Sequence, residues 1–403
     1  MVEQSDILEA TRFTTQPFRV IPPREMKVIW AGDRATIDDL IEASRSPSPS
    51  DLHTSEFITI FGSYGSGKTH ALKFVSNHLQ DAGNLVIYIP RPNISEKSTW
   101  SDLVREMFST HLRRDDIKAR FDKLRNSLLG RVQQEINART QASGFSADVK
   151  RQVESETSEA LCSQILPESP GFVRFCMDLA DESKSERNWK YLTNKMSQKE
   201  VAVYAQEYGV PVEGMASDST AGALLSYFMN VMTYQTDLGA GSDVCAVLID
   251  ETENVNDLSP VARRSFLVGI RDLVNKVPEH LFLAMALATS DASELYGILD
   301  EPSMMRVTRQ PFEFHQHTIE EGIQFLSEIM AEYRVEGYSG DQAFPFTDEG
   351  LEEFVTACPP PRSARTLLLS AQRIVFHKCR EKVLSGDRID ADDVAEFNDW
   401  ASG

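Results

Sequence analysis

The segment GSYGSGKT, residues Gly62 to Thr69, constrains the fold more than any other part of the chain. It fits the pattern GxxxxGK[ST] and lies between EFITIFG, a short β-rich run, and KTHALKFVSNHLQDAG, whose apolar residues recur at helical spacing. In that setting the glycines let backbone N–H groups turn inward around phosphates, and the helix N-terminus adds partial positive charge. The sequence therefore predicts a phosphate-binding loop, made of Gly62, Ser63, Tyr64, Gly65, Ser66, Gly67, Lys68, Thr69 and His70.

A second motif, VCAVLIDE, carries two carboxylates to the end of a buried strand. In the predicted site Lys68 reaches the β- and γ-phosphates, and Thr69 and Asp250 hold Mg²⁺, Asp250 through water. Glu251 is then placed to polarise the attacking water, so that catalysis consists of positioning and charge stabilisation.

Three further side chains are candidates for contact with the γ-phosphate. Thr289 ends the apolar run LFLAMALAT, with Ser290 as the neighbour that could replace it. Arg306, in SMMRVTRQPFEF, and Arg362, which opens an amphipathic helix after a proline run, carry the permanently charged, fork-shaped group suited to phosphate. For both Arg306 and Arg362, the alternative of an ordinary surface arginine is equally open.

The order of patterns indicates an α/β fold, with a parallel sheet covered by helices and followed by an all-α lid. We expect an N-terminal leader and linker at 1–50, an ATPase core at 51–315 that contains a helical insertion at 100–235, and a helical lid at 316–403. The Ser/Pro-rich linker is RSPSPSD, RQPFEFH is a short edge strand, and Thr318 with Glu321 predicts a capping box for a helix over 319–334.

Charge limits the partners of the chain. The 403 residues carry a net charge of −20, so the surface as a whole repels nucleic acid and anionic membranes. Segment 113–139 is the exception, with eight Lys/Arg against four acids: Arg113, Arg114, Lys118, Arg120, Lys123, Arg125, Arg131 and Arg139 against Asp115, Asp116, Asp122 and Glu135. This local excess suggests contact with double-stranded DNA, although a solvated helix with internal ion pairs is the simpler interpretation.

The remaining composition favours a cytoplasmic protein. Five scattered cysteines without a CxxC pair are typical of reduced thiols. No apolar run approaches the roughly 18 residues that would span a membrane. In the insertion, Phe172, Phe175, Trp189 and Tyr191 favour helix packing over a platform for base stacking.

Taken in order, these motifs resemble those of the AAA+ superfamily. The resemblance makes GSYGSGKT the Walker A motif, VLIDE Walker B, Thr289 sensor 1, Arg306 the arginine finger with Arg309 as its competitor, and Arg362 sensor 2. GDRATIDDL and PPPRSARTLLLSA are similar to segments of the origin-recognition and replication-initiator branch, which implies that Arg34 lies near the nucleotide base. The stretch from CAVLIDETENVNDL to LFLAMALATS looks like that of BrxD-type ATPases of bacterial phage-exclusion systems.

The resemblance implies ATP and Mg²⁺ as ligands and a homo-oligomer in which Arg306 of one subunit completes the site of the next. Two roles follow. The first is a motor or switch that acts on nucleic acid, as part of an anti-phage defence system. The alternative is a regulatory ATPase that controls a separate effector protein without contacting DNA, which the overall acidity favours.

Overall fold

The computed structural model of the protein describes residues 4–20, 30–45, 54–93, 100–140, 147–234, 243–289, 291, 293–295 and 299–400. The predicted linker falls mostly outside the described residues, as does Ser290.

A five-stranded parallel sheet forms the centre of the fold, in the order β2-β3-β4-β1-β5. The strands are β1 (Thr54–Gly62), β2 (Leu85–Ile89), β3 (Cys245–Ile249), β4 (Glu279–Ala288) and β5 (Phe312–Phe314). Every residue of β3 is buried, as expected for a parallel strand that is covered on both faces. Along β1, Phe57 and Phe61 enter one hydrophobic cluster while Ile58 and Ile60 enter another, so the sheet separates two core layers. The edge position of β5 confirms the prediction from RQPFEFH.

Helices make up most of the rest of the described chain. Up to β3 they are α1 (Gln4–Thr11), α2 (Arg34–Ser44), α3 (Lys68–Asp81), α4 (Trp100–Glu106), α5 (Arg114–Thr140), α6 (Ala147–Ile165), α7 (Pro170–Asp178), α8 (Glu182–Leu192), α9 (Gln198–Tyr208) and α10 (Asp218–Thr233). After β3 follow α11 (Pro260–Lys276), α12 (Glu301–Met304), α13 (Ile319–Glu332), α14 (Asp348–Ala357), α15 (Ala364–Arg373), α16 (Arg380–Leu384) and α17 (Ala391–Ala395).

Helices α4 to α10 lie between β2 and β3 and share a core with one face of the sheet. The four aromatic residues of the insertion are all buried there, which confirms that they pack helices together: Phe172, Phe175, Trp189 and Tyr191. The α/β fold with a parallel sheet, a large helical insertion and a helical C-terminal part is therefore as predicted, whereas the exact domain boundaries stay a prediction.

The C-terminal helices surround a core of their own, and the N-terminal segment 4–20 belongs to it. Ile7, Phe13 and Phe18 are buried against residues of α13 to α16. The sequence did not indicate this, since 1–50 reads as a leader. Helix α13 starts with the predicted capping box, because the Glu321 carboxylate accepts from the Thr318 N–H at 2.8 Å and the Thr318 hydroxyl accepts from the Glu321 N–H at 3.2 Å.

Among the described helices, none combines the length and the apolar character needed to cross a membrane.

Candidate functional site

The loop between β1 and α3 adopts backbone conformations that require glycine. Gly62, Gly65 and Gly67 have φ angles of 155°, 81° and 106°, in the region that L side chains rarely adopt. A Cβ at Gly62 would lie 2.4 Å from the Phe314 carbonyl oxygen, so β5 packs directly against the loop. The loop hydroxyls of Ser63 and Ser66 are buried and have no hydrogen-bond partner in the described structure.

Lys68 begins α3 and points its ammonium group back into this loop. Its Nζ donates to the carbonyl oxygens of Gly62 at 2.7 Å and Ser63 at 2.9 Å. The side chain is only 7% exposed, and burial lowers the pKa of Lys68 against the opposing charges of Glu253 and Asp250. A cation is thus held at the place where the sequence predicts the phosphates.

Asp250, directly after β3, is the best-connected carboxylate of the site. It accepts from the Glu251 N–H at 3.0 Å, from the Tyr88 hydroxyl at 3.2 Å and from the Thr69 hydroxyl. Burial raises the pKa of Asp250, while these donors and Lys68 oppose the rise by stabilising the charged form. Tyr88 was not predicted; it lies on the neighbouring strand β2, and its pKa is raised mainly by burial.

Glu251 occupies a strained and half-exposed position. Its φ of 49° lies in the left-handed region, which costs a residue with a side chain about 1 kcal/mol. Strained residues of this kind are typical of functional sites. The carboxylate lies 3.8 Å from Arg91 Nε, an exposed ion pair that the sequence analysis did not anticipate. Nearby, Glu253 accepts from the Ala288 N–H at 3.3 Å at the end of β4.

A cleft of about 320 Å³ joins the loop, the strand ends, the N-terminal segment and the C-terminal helices. Its polar lining includes residues 64–70 with Asp250, Glu251 and Glu253. Its apolar lining consists of Pro17, Val20, Trp30, Phe314, Phe325, Ile329, Tyr333 and Leu368, with Ala288 and Ala364. A small-molecule site that combines charged and aromatic side chains suits a nucleotide.

The residues of this cleft fit ATP and Mg²⁺. The orphaned hydroxyls of Ser63 and Ser66 and the buried ammonium of Lys68 are groups that an oligophosphate would satisfy. The Thr69 hydroxyl and the Asp250 carboxylate already meet, and both are oxygen ligands of the kind that Mg²⁺ takes.

Three predicted residues do not line the cleft as described. Thr289 forms a bridge with Gly62, but its hydroxyl donates to the Glu294 carboxylate and to the Asp291 carbonyl, and it does not line the cleft as described. Arg306 donates to Asn275 Oδ1 at 3.0 Å. Arg309 Nη2 lies 3.4 Å from Glu56 Oε1.

The structure distinguishes Arg362 from Arg365. Helix α15 begins at Ala364 with Ser363 as its N-cap, so Arg362 precedes the helix that it was expected to open. Arg362 donates to the carbonyl oxygens of Val355 at 3.1 Å and Thr356 at 3.2 Å. Arg365 instead lines the cleft, its N–H donates to the Gly65 carbonyl oxygen at 3.4 Å, and its guanidinium lies 5.4 Å from the Tyr64 ring centroid.

A similar difference separates Arg34 from its neighbours. Arg34 is exposed at the start of α2 and is not among the described residues that line the cleft. Asp33, which caps α2, and Trp30 do line it. The Trp30 ring lies 5.8 Å from that of His70, the last residue of the predicted loop.

The basic helix α5 lies outside this cleft, and several of its cations have protein partners. Lys118 pairs with Glu182 at 3.2 Å, Arg125 with Asp181 at 3.9 Å, Arg120 donates to the Gly83 carbonyl at 2.7 Å and Arg114 lies 5.2 Å from the Trp189 ring. Arg113 and Lys123 are exposed and line a second cleft together with Asp116 and Asp243. The side chain of Arg139 is outside the described part.

Solved structures with similarity to the chain include ORC and Cdc6p proteins. The ORC2 protein of Aeropyrum pernix, in ADPNP–ADP complexes, is 14% identical with a TM-score of 0.47, over 95% of this chain and 70% of that one. The ORC1 protein of A. pernix in complex with DNA is 11% identical with a TM-score of 0.45, over 96% and 69%. Cdc6p from Pyrobaculum aerophilum is 13% identical with a TM-score of 0.41, over 95% and 68%. At these TM-scores the likeness assigns no function to this chain.

No curated protein sequence matches the chain. The family model for BREX system ATP-binding proteins BrxC/D matches residues 20–303, which include the phosphate-binding loop, the helical insertion and Asp250 with Glu251. The match covers well over half of the chain and confirms the resemblance to BrxD-type proteins. The chain belongs to the BREX system ATP-binding protein BrxC/D family.

Proposed function

We propose that the chain binds ATP with Mg²⁺ in the cleft between the sheet and the C-terminal helices and hydrolyses it. The observation that carries this proposal is the meeting of Lys68, Thr69 and Asp250 in one cleft, with Glu251 next in the chain. The glycine loop and Lys68 bind the phosphates, and Thr69 and Asp250 hold the metal. Bound Mg²⁺ supplies charge neutralisation at the β- and γ-phosphates.

Glu251 acts as the group that orients and polarises the attacking water. It is half-exposed in the cleft and therefore open to water, whereas Asp250 is buried and accepts from Tyr88, Thr69 and the Glu251 N–H. The two neighbouring carboxylates therefore divide the tasks of water activation and metal binding. Thr289, one residue beyond β4, takes part only if its hydroxyl leaves Glu294.

The chain works as an oligomer in this proposal. Arg306 and Arg309 do not line the cleft of their own chain as described. Arg306 contacts Asn275 of α11, and Arg309 contacts Glu56 of β1. If Arg306 or Arg309 acts on a γ-phosphate, it does so in the cleft of a second copy, and Met305, beside Arg306, is 77% exposed. ATP turnover and self-association are thereby coupled.

Mixing two inactive variants tests hydrolysis and the shared site together. We expect Glu251→Gln and Arg306→Ala each to lose at least about a hundredfold in turnover, since each removes a group that acts in the transition state. In a mixture, Glu251→Gln subunits supply Arg306 to Arg306→Ala subunits that retain Glu251, so phosphate release recovers. Arg309→Ala in place of Arg306→Ala decides which arginine is the finger.

Full turnover in the Glu251→Gln protein would remove the assigned role of that carboxylate. If both single variants are inactive and their mixture also stays inactive, the shared site is contradicted. The proposal that the wild type hydrolyses ATP would still stand.

We propose that the nucleotide state controls a partner of the chain in phage defence. Two kinds of partner are compatible with the family. One is duplex DNA, through the exposed Arg113 and Lys123. The other is a separate effector protein. The pairing of Lys118 and Arg125 with acidic residues of the same chain favours the effector, because those cations are already neutralised.

A further inference from the structure

His317 lines the nucleotide cleft, and one of its ring nitrogens has no partner in the described protein. It lies between β5 and α13 and lines the cleft. Its Nε2 is buried and has no hydrogen-bond partner. Nearly all buried polar atoms in proteins have a hydrogen-bond partner. An exception beside a ligand cleft therefore points to a partner that the ligand supplies.

The ring of His317 packs on helix α13. It stacks on Phe325 with centroids 5.0 Å apart and planes 22° from parallel. The backbone N–H of His317 donates to the Arg362 carbonyl oxygen at 3.0 Å. Arg362, which does not reach the cleft itself, therefore helps to position the residue that does.

The imidazole is a neutral hydrogen-bonding group at physiological pH. Burial lowers the pKa of His317, and the nearby Glu321 carboxylate only partly offsets this effect. A neutral imidazole has one nitrogen that donates and one that accepts. When Nδ1 carries the proton, Nε2 is an acceptor.

The surroundings of His317 suit a flat aromatic ligand. Four aromatic side chains line the same cleft as Lys68 and Asp250: Trp30, Phe314, Phe325 and Tyr333. A base placed among these rings presents its edge groups to the few polar atoms there. Those atoms decide which base is preferred.

We propose that Nε2 of His317 accepts a hydrogen bond from the 6-amino group of the purine base, which makes His317 a specificity-determining residue for adenine nucleotides. The inference rests on the proposed nucleotide site and adds the recognition of the base to it. Truncation of one partner of a single neutral hydrogen bond corresponds to about a five- to tenfold change in affinity.

The test compares ATP with purine riboside triphosphate, which lacks only the 6-amino group, by calorimetry on the wild-type protein and on His317→Phe. Phenylalanine keeps the stacking on Phe325 and removes the nitrogen. We expect the wild type to bind ATP about five- to tenfold more tightly than the analogue and His317→Phe to bind both alike. His317→Leu serves as a second apolar replacement if the phenylalanine variant does not fold.

His315→Phe is the matched control, since His315 lines the same cleft two residues earlier but is exposed and lies 3.1 Å from Glu313. It should keep the preference of the wild type. A wild type without preference, or a preference that survives in His317→Phe, overturns the inference while triphosphate binding stands. If neither triphosphate binds the wild type, the proposed nucleotide site itself fails.

Discussion

Arg362 and Arg365 are three positions apart, yet of the two only Arg365 contacts the phosphate-binding loop. The proline run before Arg362 suggested a helix start two residues too early. Ser363 was the better signal, because a serine before an apolar periodic run is a typical N-cap. With the helix starting at Ala364, Arg365 faces Gly65 and Tyr64. We therefore propose Arg365 for the sensor-2 role that the resemblance assigned to Arg362.

The two arginines give opposite expectations. Arg365→Ala should weaken ATP binding by roughly tenfold or more, the size expected for one charge-assisted contact, with unchanged thermal stability. Arg362→Ala should cost about 1 kcal/mol of stability, because the carbonyls of Val355 and Thr356 lose their donor. Calorimetry with ATP and thermal melts of the two variants separate the effects. Weaker ATP binding by Arg362→Ala together with lower stability of Arg365→Ala would instead assign the sensor-2 role to Arg362.

Local patterns explain why part of the site could be predicted from the sequence. A glycine loop between a strand and a helix, and a strand that ends in Asp250 and Glu251, are each contained within about a dozen consecutive residues. Tyr88 and His317 could not be found in this way. Their roles depend on which strand lies beside β3 and on how α13 packs, and no short pattern in the chain encodes those long-range contacts.

At the scale of elements, helix α5 shows how a basic sequence can be neutralised by its fold. Of its cations, Lys118 and Arg125 face acidic residues at the start of α8, which are distant in the sequence and so invisible to a count of local charge. Arg113, Arg114 and Lys123 remain exposed.

Three exposed cations of this segment can contact DNA: Arg113, Arg114 and Lys123. If each neutralises one phosphate, the logarithm of the binding constant should fall with the logarithm of salt with a slope of about −3. Arg113→Glu, Arg114→Glu and Lys123→Glu combined should abolish that weak binding and leave ATP turnover unchanged. Fluorescence anisotropy with labelled duplex at several salt concentrations measures the slope. A steep slope that persists in the triple variant would place a DNA surface elsewhere on the chain.

At the scale of the whole molecule, the packing of the N-terminal segment 4–20 on the C-terminal helices is the feature that the sequence indicated least. Arg334, after α13, is 8% exposed and donates to the carbonyl oxygens of Thr11 and Phe344, while its guanidinium lies 4.2 Å from the Phe13 ring. Burial lowers the pKa of Arg334. Pro17 and Val20 in the same segment line the nucleotide cleft, so the segment and the C-terminal helices enclose the ligand together.

Arg334→Met should therefore lower both stability and nucleotide affinity. We expect about 2 to 4 kcal/mol less free energy of unfolding, because two buried carbonyls lose their donor, and weaker ATP binding as segment 4–20 detaches. Arg388→Met is the control; its exposed ion pair with Asp341 is worth less than about 1 kcal/mol. Urea unfolding with and without ATP reports both quantities. Equal losses in the two variants would argue against this anchoring role.

The most direct test of the account is equilibrium binding of ATP with Mg²⁺ to Glu251→Gln and to the same protein with Lys68→Ala added. The first should bind one ATP per chain, because the loop, Lys68 and Asp250 are intact and hydrolysis is blocked. The second should bind at least about a hundredfold more weakly, since the loop loses its buried cation. Equal binding by the two proteins would contradict the central claim that this loop holds the phosphates.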